Sequence, residues 1–184
     1  MAVLNGVTAG TLGDSKMLSI REENPGDYNA IRKVNQMAFQ GNDEAQLIDD
    51  LRRDGAVVLS LVAVESDEIV GHILFSDLMI ETESGVLPAV ALAPMAVLPR
   101  CQRQGVGTAL VCRGLELCRE RGNSIVVVVG HPDYYPRFGF SAELAKSLHS
   151  RCSGEVWMAL ELIPGALYGV KGIVRYANAF GDLS

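Results

Sequence analysis

The chain has 184 residues, a formal charge of −6 and a pI near 5.1, with 48% hydrophobic and 21% charged residues. That length and balance fit one globular domain and exclude a disordered chain. The acidic excess argues against nucleic acid or an anionic membrane as partner, and no apolar run reaches the ~18–20 residues of a membrane span.

Residues 1–16, "MAVLNGVTAGTLGDSK", lack the basic start and continuous apolar middle of a secretory signal. They are expected to form a weakly ordered extension, with the domain at residues 17–184. A strand-like "MLSIREE" follows. "NPGD" at residues 24–27 then signals a helix start, with Asn as cap, Pro at the first helical position and an acid in the first turn. The helix behind it places Tyr28, Ile31, Val34 and Ala38 on one face, and a second carries Leu47, Ile48 and Leu51 before Gly55.

The period then changes to that of strands. "VVLSLVAVE" and "IVGHILFSDLMI", separated by "SDE", predict a hairpin, and "GVLPAVALAPMAVL" a third extended segment. Residues 107–121 return to helical spacing, with Leu110, Val111, Gly114, Leu115 and Cys118 as the buried stripe. "SIVVVV" reads as a strand covered on both faces, "HPDYYPRFGF" as a turn or short helix, and "VWMALEL" as a late strand. A last strand lies near residues 173–176. The expected order is β-α-α-β-β-β-α-β-α-β(-β), a single α/β domain on a mixed sheet flanked by helices.

The strand-to-helix junction "MAVLPRCQRQGVGTALVCRG" carries the chemistry. Helix N-termini present unpaired N–H groups and a partial positive charge, and Gly105 and Gly107 let the backbone turn amides toward an anion. No Asp or Glu occurs between Glu83 and Glu116, whereas Arg100, Arg103 and Arg113 do. The bias suits a phosphorylated ligand, although a tight turn onto a helix needs the same glycines. A phosphate-binding P-loop is excluded because its lysine is missing. A dinucleotide fingerprint is excluded because Leu110 stands where a third small residue is required.

"QRQGVG" resembles the Q/R-x-x-G-x-G/A loop of the GNAT N-acetyltransferases, and "YYPRFGF", with Tyr135, Gly139 and Phe140, resembles their Y-x-x-x-GF segment. "EAQLIDDLR", "VGHILFS" and "MALELIPGAL" are similar to segments of a YhbS-like subgroup of small bacterial members. The resemblance implies a splayed pair of central strands and acetyl-CoA as acyl donor, with direct transfer to a primary amine in a ternary complex. It implies that the backbone at Met95, Ala96 and Val97 meets the pantetheine arm, as an added strand would. It further implies that Gln102, Arg103, Gln104, Gly105, Val106, Gly107 and Thr108 cradle the pyrophosphate, with Tyr134 beside the cofactor. Arg103 or Arg100 is expected to meet the adenosine phosphates.

Tyr135 falls where the family places a proton donor for the departing thiolate. The expected third strand carries no acid, so Glu44 and His131 stand as candidate general bases. Their alternatives are a helix first-turn acid and a turn cap. His72 reads as a core histidine and Asp133 as a turn cap. An acyl-CoA-binding module with little turnover remains the alternative function. Four cysteines (Cys101, Cys112, Cys118 and Cys152) show neither CxxC nor Cys/His metal spacing, which fits a reduced, cytoplasmic setting and no metal. Exposed sheet edges leave a homodimer open, and the acceptor, a small molecule or a protein, is not specified.

Overall fold

The computed structural model describes residues 17–151 and 153–183; the extension read at residues 1–16 and Cys152 lie outside the described residues. After β1 (Leu18–Glu22), Asn24 caps a 3-10 turn at Pro25–Asp27, accepting from the Gly26 N–H at 3.0 Å while the Asp27 carboxylate accepts from the Asn24 N–H at 2.8 Å. Arg21 grips Asp27 through two hydrogen bonds, which hold its carboxyl below the usual carboxylate range. From this closed cap run α1 (Tyr28–Phe39) and α2 (Asp43–Arg53). The expected stripes hold at Ile31, Val34, Ile48 and Leu51. Tyr28, by contrast, faces outward, its ring beneath the Arg52 guanidinium at 4.0 Å.

Strands β2 (Val57–Glu65), β3 (Glu68–Thr82) and β4 (Gly85–Val97) form an antiparallel meander. Helix α3 (Val106–Glu120) then returns the chain so that β5 (Ile125–Val129) lies parallel to β4, and β7 (Trp157–Glu161) pairs antiparallel with β5. Between β5 and β7 come a 3-10 turn at Tyr135–Phe138, the single-turn α4 (Ala142–Ala145) and β6 (Leu148–His149). Strand β8 (Gly172–Tyr176) continues the edge of β3 beyond β2 and pairs with β6. The main path is β1-β2-β3-β4-β5-β7. This is the expected mixed sheet, with β6 added; two residues are too few to show a period.

Helix α3 packs Leu110, Val111 and Cys118 against Leu61, Phe75, Val90 and Leu92 on one face. On the other face, α1 and α2 bring Ile31, Ile48 and Leu51 against Val62 and Leu74. One irregularity positions everything that follows. The β3–β4 register jumps from Ile73↔Met95 to Phe75↔Leu92, so Ala93 and Pro94 together oppose Leu74. Such a bulge bends the strand, and Pro94 has no N–H to return to the ladder. Pairing of β4 with β5 is confined to Val90–Leu92 against Val126–Val128. Beyond Leu92 the two strands part.

Candidate active site

The parted segment exposes backbone. The Leu98 N–H donates to the Val70 carbonyl at 2.9 Å, so antiparallel alternation turns Ala96 toward β3 and turns Met95 and Val97 toward the side that β5 has left. The Val97 carbonyl is met there by the Gln102 side-chain amide at 3.0 Å. The Gln102 N–H also points inward, to the Pro99 carbonyl at 3.4 Å. Gln102 is therefore a staple for the loop, which corrects the reading of its amide as part of a cradle. The open row starts at Arg103.

Gly105, at φ 89°, occupies the left-handed region and sits at the N-cap position of α3 with no side chain to satisfy the first turn. The first internal bond runs from the Ala109 N–H to the Gly105 carbonyl. Among the described residues, no acceptor meets the amides of residues 103–108. Of the loop arginines, Arg100 is held by Glu68 at 2.5 Å and Arg113 pairs with Glu116. Arg103 is exposed and has no ion-pair partner among the described residues. Thus Arg103, of the two arginines expected at the phosphates, is the one left free.

Tyr134 and Tyr135 approach edge to face at 5.1 Å between ring centroids and do different things. A Cβ built on Gly107 would stand 2.9 Å from the Tyr134 hydroxyl oxygen and 3.7 Å from side-chain atoms of Met95 and Val97. The Tyr134 phenol therefore lies over the first turn of α3. Burial pushes it up from its ordinary pKa, with the Thr108 hydroxyl and Arg137 pulling the other way. Tyr135 is 7% exposed, its ring lying against Gly130 and Phe140. Its hydroxyl oxygen has no protein partner among the described residues, yet it is not among the fully buried unpartnered atoms, so it keeps solvent access. Burial pushes this phenol up to about 12.

Two contributors were not singled out from the sequence. Gly130, just after β5, leaves room for the Tyr135 ring, since a Cβ there would fall 2.1 Å from a ring carbon. Arg137 stacks over Tyr134 at 4.3 Å and donates to the Tyr134 carbonyl. The signals were present as a glycine ending an apolar run and an arginine inside "YPRFGF".

A family model described as the acetyltransferase (GNAT) domain matches residues 19–142. The chain is 35% identical over 164 residues to the uncharacterized N-acetyltransferase YhbS of Escherichia coli K12, covering 88% of this chain and 97% of that protein. The chain belongs to the GNAT acetyltransferase family. The crystal structure of E. coli YhbS in complex with CoA matches with a TM-score of 0.85 and 32% identity, covering 95% of this chain and 98% of that one. A GNAT family acetyltransferase of Brucella melitensis in complex with acetyl-CoA matches with a TM-score of 0.76 and 33% identity, covering 90% of this chain and 99% of that one.

Within this GNAT domain the candidate bases are scattered. Glu44 is half-buried in the first turn of α2, a helix that packs chiefly on α1 and the C-terminal turn. His131 is exposed, and its carbonyl accepts the Tyr134 and Tyr135 amides, so it starts the turn that carries them. Asp133 is exposed on the same turn. Cys101 is a buried free thiol, and burial pushes the Cys118 thiol up to about 12, so neither is a ready nucleophile. No cluster among the described residues has metal-ligand geometry.

His72 is 0% exposed and fixed in a relay. The Ser60 hydroxyl donates to Glu23 at 2.6 Å, so His72 Nε2–H donates to Ser60, at 2.9 Å, and Nδ1 accepts from Asn35 at 3.3 Å. Arg52 holds Glu23 through two further bonds. Burial, aided by the Arg52 charge, lowers the His72 pKa to about 3. The folded chain thus refuses a proton that the unfolded chain takes near pH 6.5, so stability is full above that pH and falls as pH drops toward 3. Between pH 7.5 and pH 5 the loss is expected to be about 2 kcal/mol in urea unfolding, and absent in His72→Gln.

Proposed function

We propose that the protein transfers an acetyl group from acetyl-CoA to a primary amine by direct attack in a ternary complex, in a cytoplasmic setting. The row of unpartnered amides at residues 103–108, continuous with the strand edge at Met95 and Val97, carries this reading. A diphosphate fits such a row, because first-turn N–H groups and the helix dipole both favour it. The backbone of Met95 and the N–H of Val97 offer the pantetheine amides the pairing that β5 no longer provides. Arg103 and Thr108 add a charge and a hydroxyl at the phosphate end. Tyr134 closes over Gly107.

The donor supplies the activated thioester carbonyl; the chain supplies alignment and a proton. A backbone N–H at the Met95–Val97 edge stabilises negative charge developing on the carbonyl oxygen. The amine nitrogen forms the C–N bond and loses one proton, the C–S bond breaks, and the sulfur gains one proton. Tyr135, protonated at neutral pH, serves as the donor to that sulfur in this reading. The absence of any titratable side chain from β4 keeps the binding-module reading in view.

Calorimetric titration with acetyl-CoA, followed by mass detection of products over a panel of amines, separates the two. The expected result is one acetyl-CoA bound per chain, in preference to NAD or ATP, and one CoA released per acetylated amine. Binding without transfer supports the module. Failure to bind acetyl-CoA overturns both.

A further inference from the structure

On the face of the sheet opposite α3, β4, β5 and β7 bury an apolar cluster just short of the β4–β5 divergence. Ala89 and Ala91 of β4, Val127 of β5 and Trp157 and Ala159 of β7 belong to one cluster, and Ser76 stands opposite Ala91. Neither β4 nor β5 contains a titratable residue. At the end of β5, Val129 is 46% exposed and paired with Trp157, whose neighbour Val156 is 41% exposed. The next residue, Gly130, donates to the Val156 carbonyl at 2.9 Å and carries the Tyr135 ring against it. An exposed apolar patch therefore adjoins the tyrosine.

The ionisable groups of the strands are committed, and Glu155, just before Val156, is exposed to solvent. Glu161 accepts the amides of Gly165 and Leu167 at 3.0 and 2.7 Å. His72 and Glu23 are locked in their relay, and strand alternation sends Asp77 to the face of Phe75. Glu44 lies on α2, and His131 and Asp133 are exposed on the turn.

Attack on a thioester needs a nitrogen lone pair. At pH 7.5 a lysine-type amine, with pKa ~10.4, is about 0.1% neutral, whereas an α-amine, with pKa ~7.8, is about one-third neutral. Resting on the acetyl-transfer reading, we infer that the acceptor is an α-amine with an apolar side chain beside it, as in an aminoacyl compound or a peptide N-terminus. It arrives neutral, places its side chain on Val129 and Val156, forms the C–N bond, and releases its proton to solvent as the C–S bond breaks and the sulfur is protonated.

The full chain with saturating acetyl-CoA is assayed at pH 7.5 against leucinamide, glycinamide, a Leu-Gly-Gly peptide and Nα-acetyl-lysinamide. The expected kcat/KM for leucinamide exceeds that for Nα-acetyl-lysinamide about 100-fold, and the ratio shrinks as pH approaches ~10.4. Leucinamide is expected to exceed glycinamide about tenfold, and Val129→Asp to erase that preference. Equal or better use of the lysine analogue overturns the inference and leaves N-acetyl transfer standing. Equal use of leucinamide and glycinamide overturns the apolar contact. Acetyl-CoA binding with no amine acetylated overturns both the inference and the transfer reading. The leucinamide and peptide arms distinguish a small acceptor from a chain N-terminus.

Discussion

Gly107→Val is expected to weaken acetyl-CoA binding at least ~100-fold while leaving the fold in place, as read by calorimetry beside thermal melting. The first carbon added at Gly107 enters the space bounded by the Tyr134 hydroxyl at 2.9 Å and by Met95 and Val97 at 3.7 Å, the residues proposed to enclose the donor. Its two further methyl groups shield the amides of the first helical turn. Hydrogen bonds from such amides to an ionised oxygen are worth about 1.5–3 kcal/mol each, so losing two accounts for the whole effect. Helix propensity does not oppose the change, because valine is about 0.4 kcal/mol more favourable than glycine in a helix. Gly105→Val is the less clean experiment. At φ 89° a β-branched residue adds backbone strain of about 1–3 kcal/mol whatever the ligand does. Gly107→Ala, whose single methyl meets only the movable end of Tyr134, should lose about tenfold. Unchanged affinity in Gly107→Val would remove the diphosphate from this loop.

The elements that repeat locally were legible in the sequence. Alternation marked β2 to β4, helical spacing marked α3, and a closed cap at Asn24 marked the entry to α1. The loop was legible because glycines at a strand-to-helix junction constrain backbone direction whatever the rest of the fold does. Features set by residues distant in sequence were not. Arg100 read as a phosphate contact because Glu68, its partner, stands far back in the sequence at the start of β3. Gln102 read as a ligand because only the fold brings its amide back to the Val97 carbonyl. Pro94 stood within an extended segment that read as regular, and the register jump there follows from pairing with β3. The second core cluster was the least legible part, since Ser76, Ala91, Val127 and Ala159 become a buried row only in cross-strand register.

Tyr135→Phe is expected to lower kcat about 100-fold at pH 7.5, with acetyl-CoA affinity changed less than about twofold. The substitution removes one oxygen and nothing else. The ring stays between Gly130, Phe140 and Tyr134, contacts that phenylalanine reproduces. A phenol pushed up to about 12 by burial is protonated throughout the working range, so it always has a hydrogen to offer. The same shift limits how completely it can part with that hydrogen. A departing thiolate with pKa near ~8.5 is a weaker base than the tyrosinate, so the hydroxyl serves mainly as a donor that follows charge as it builds on sulfur. The sign of the pH dependence follows: wild-type kcat should show no descending limb from this group below about pH 11. Tyr134→Phe supplies the contrast. Its hydroxyl lies against Gly107 at the phosphate end, so its loss should appear in acetyl-CoA affinity, with kcat nearly preserved. A full rate in Tyr135→Phe together with a collapsed kcat in Tyr134→Phe would transfer the proton donor to the phenol over α3, and the thioester would then have to bend back toward the helix.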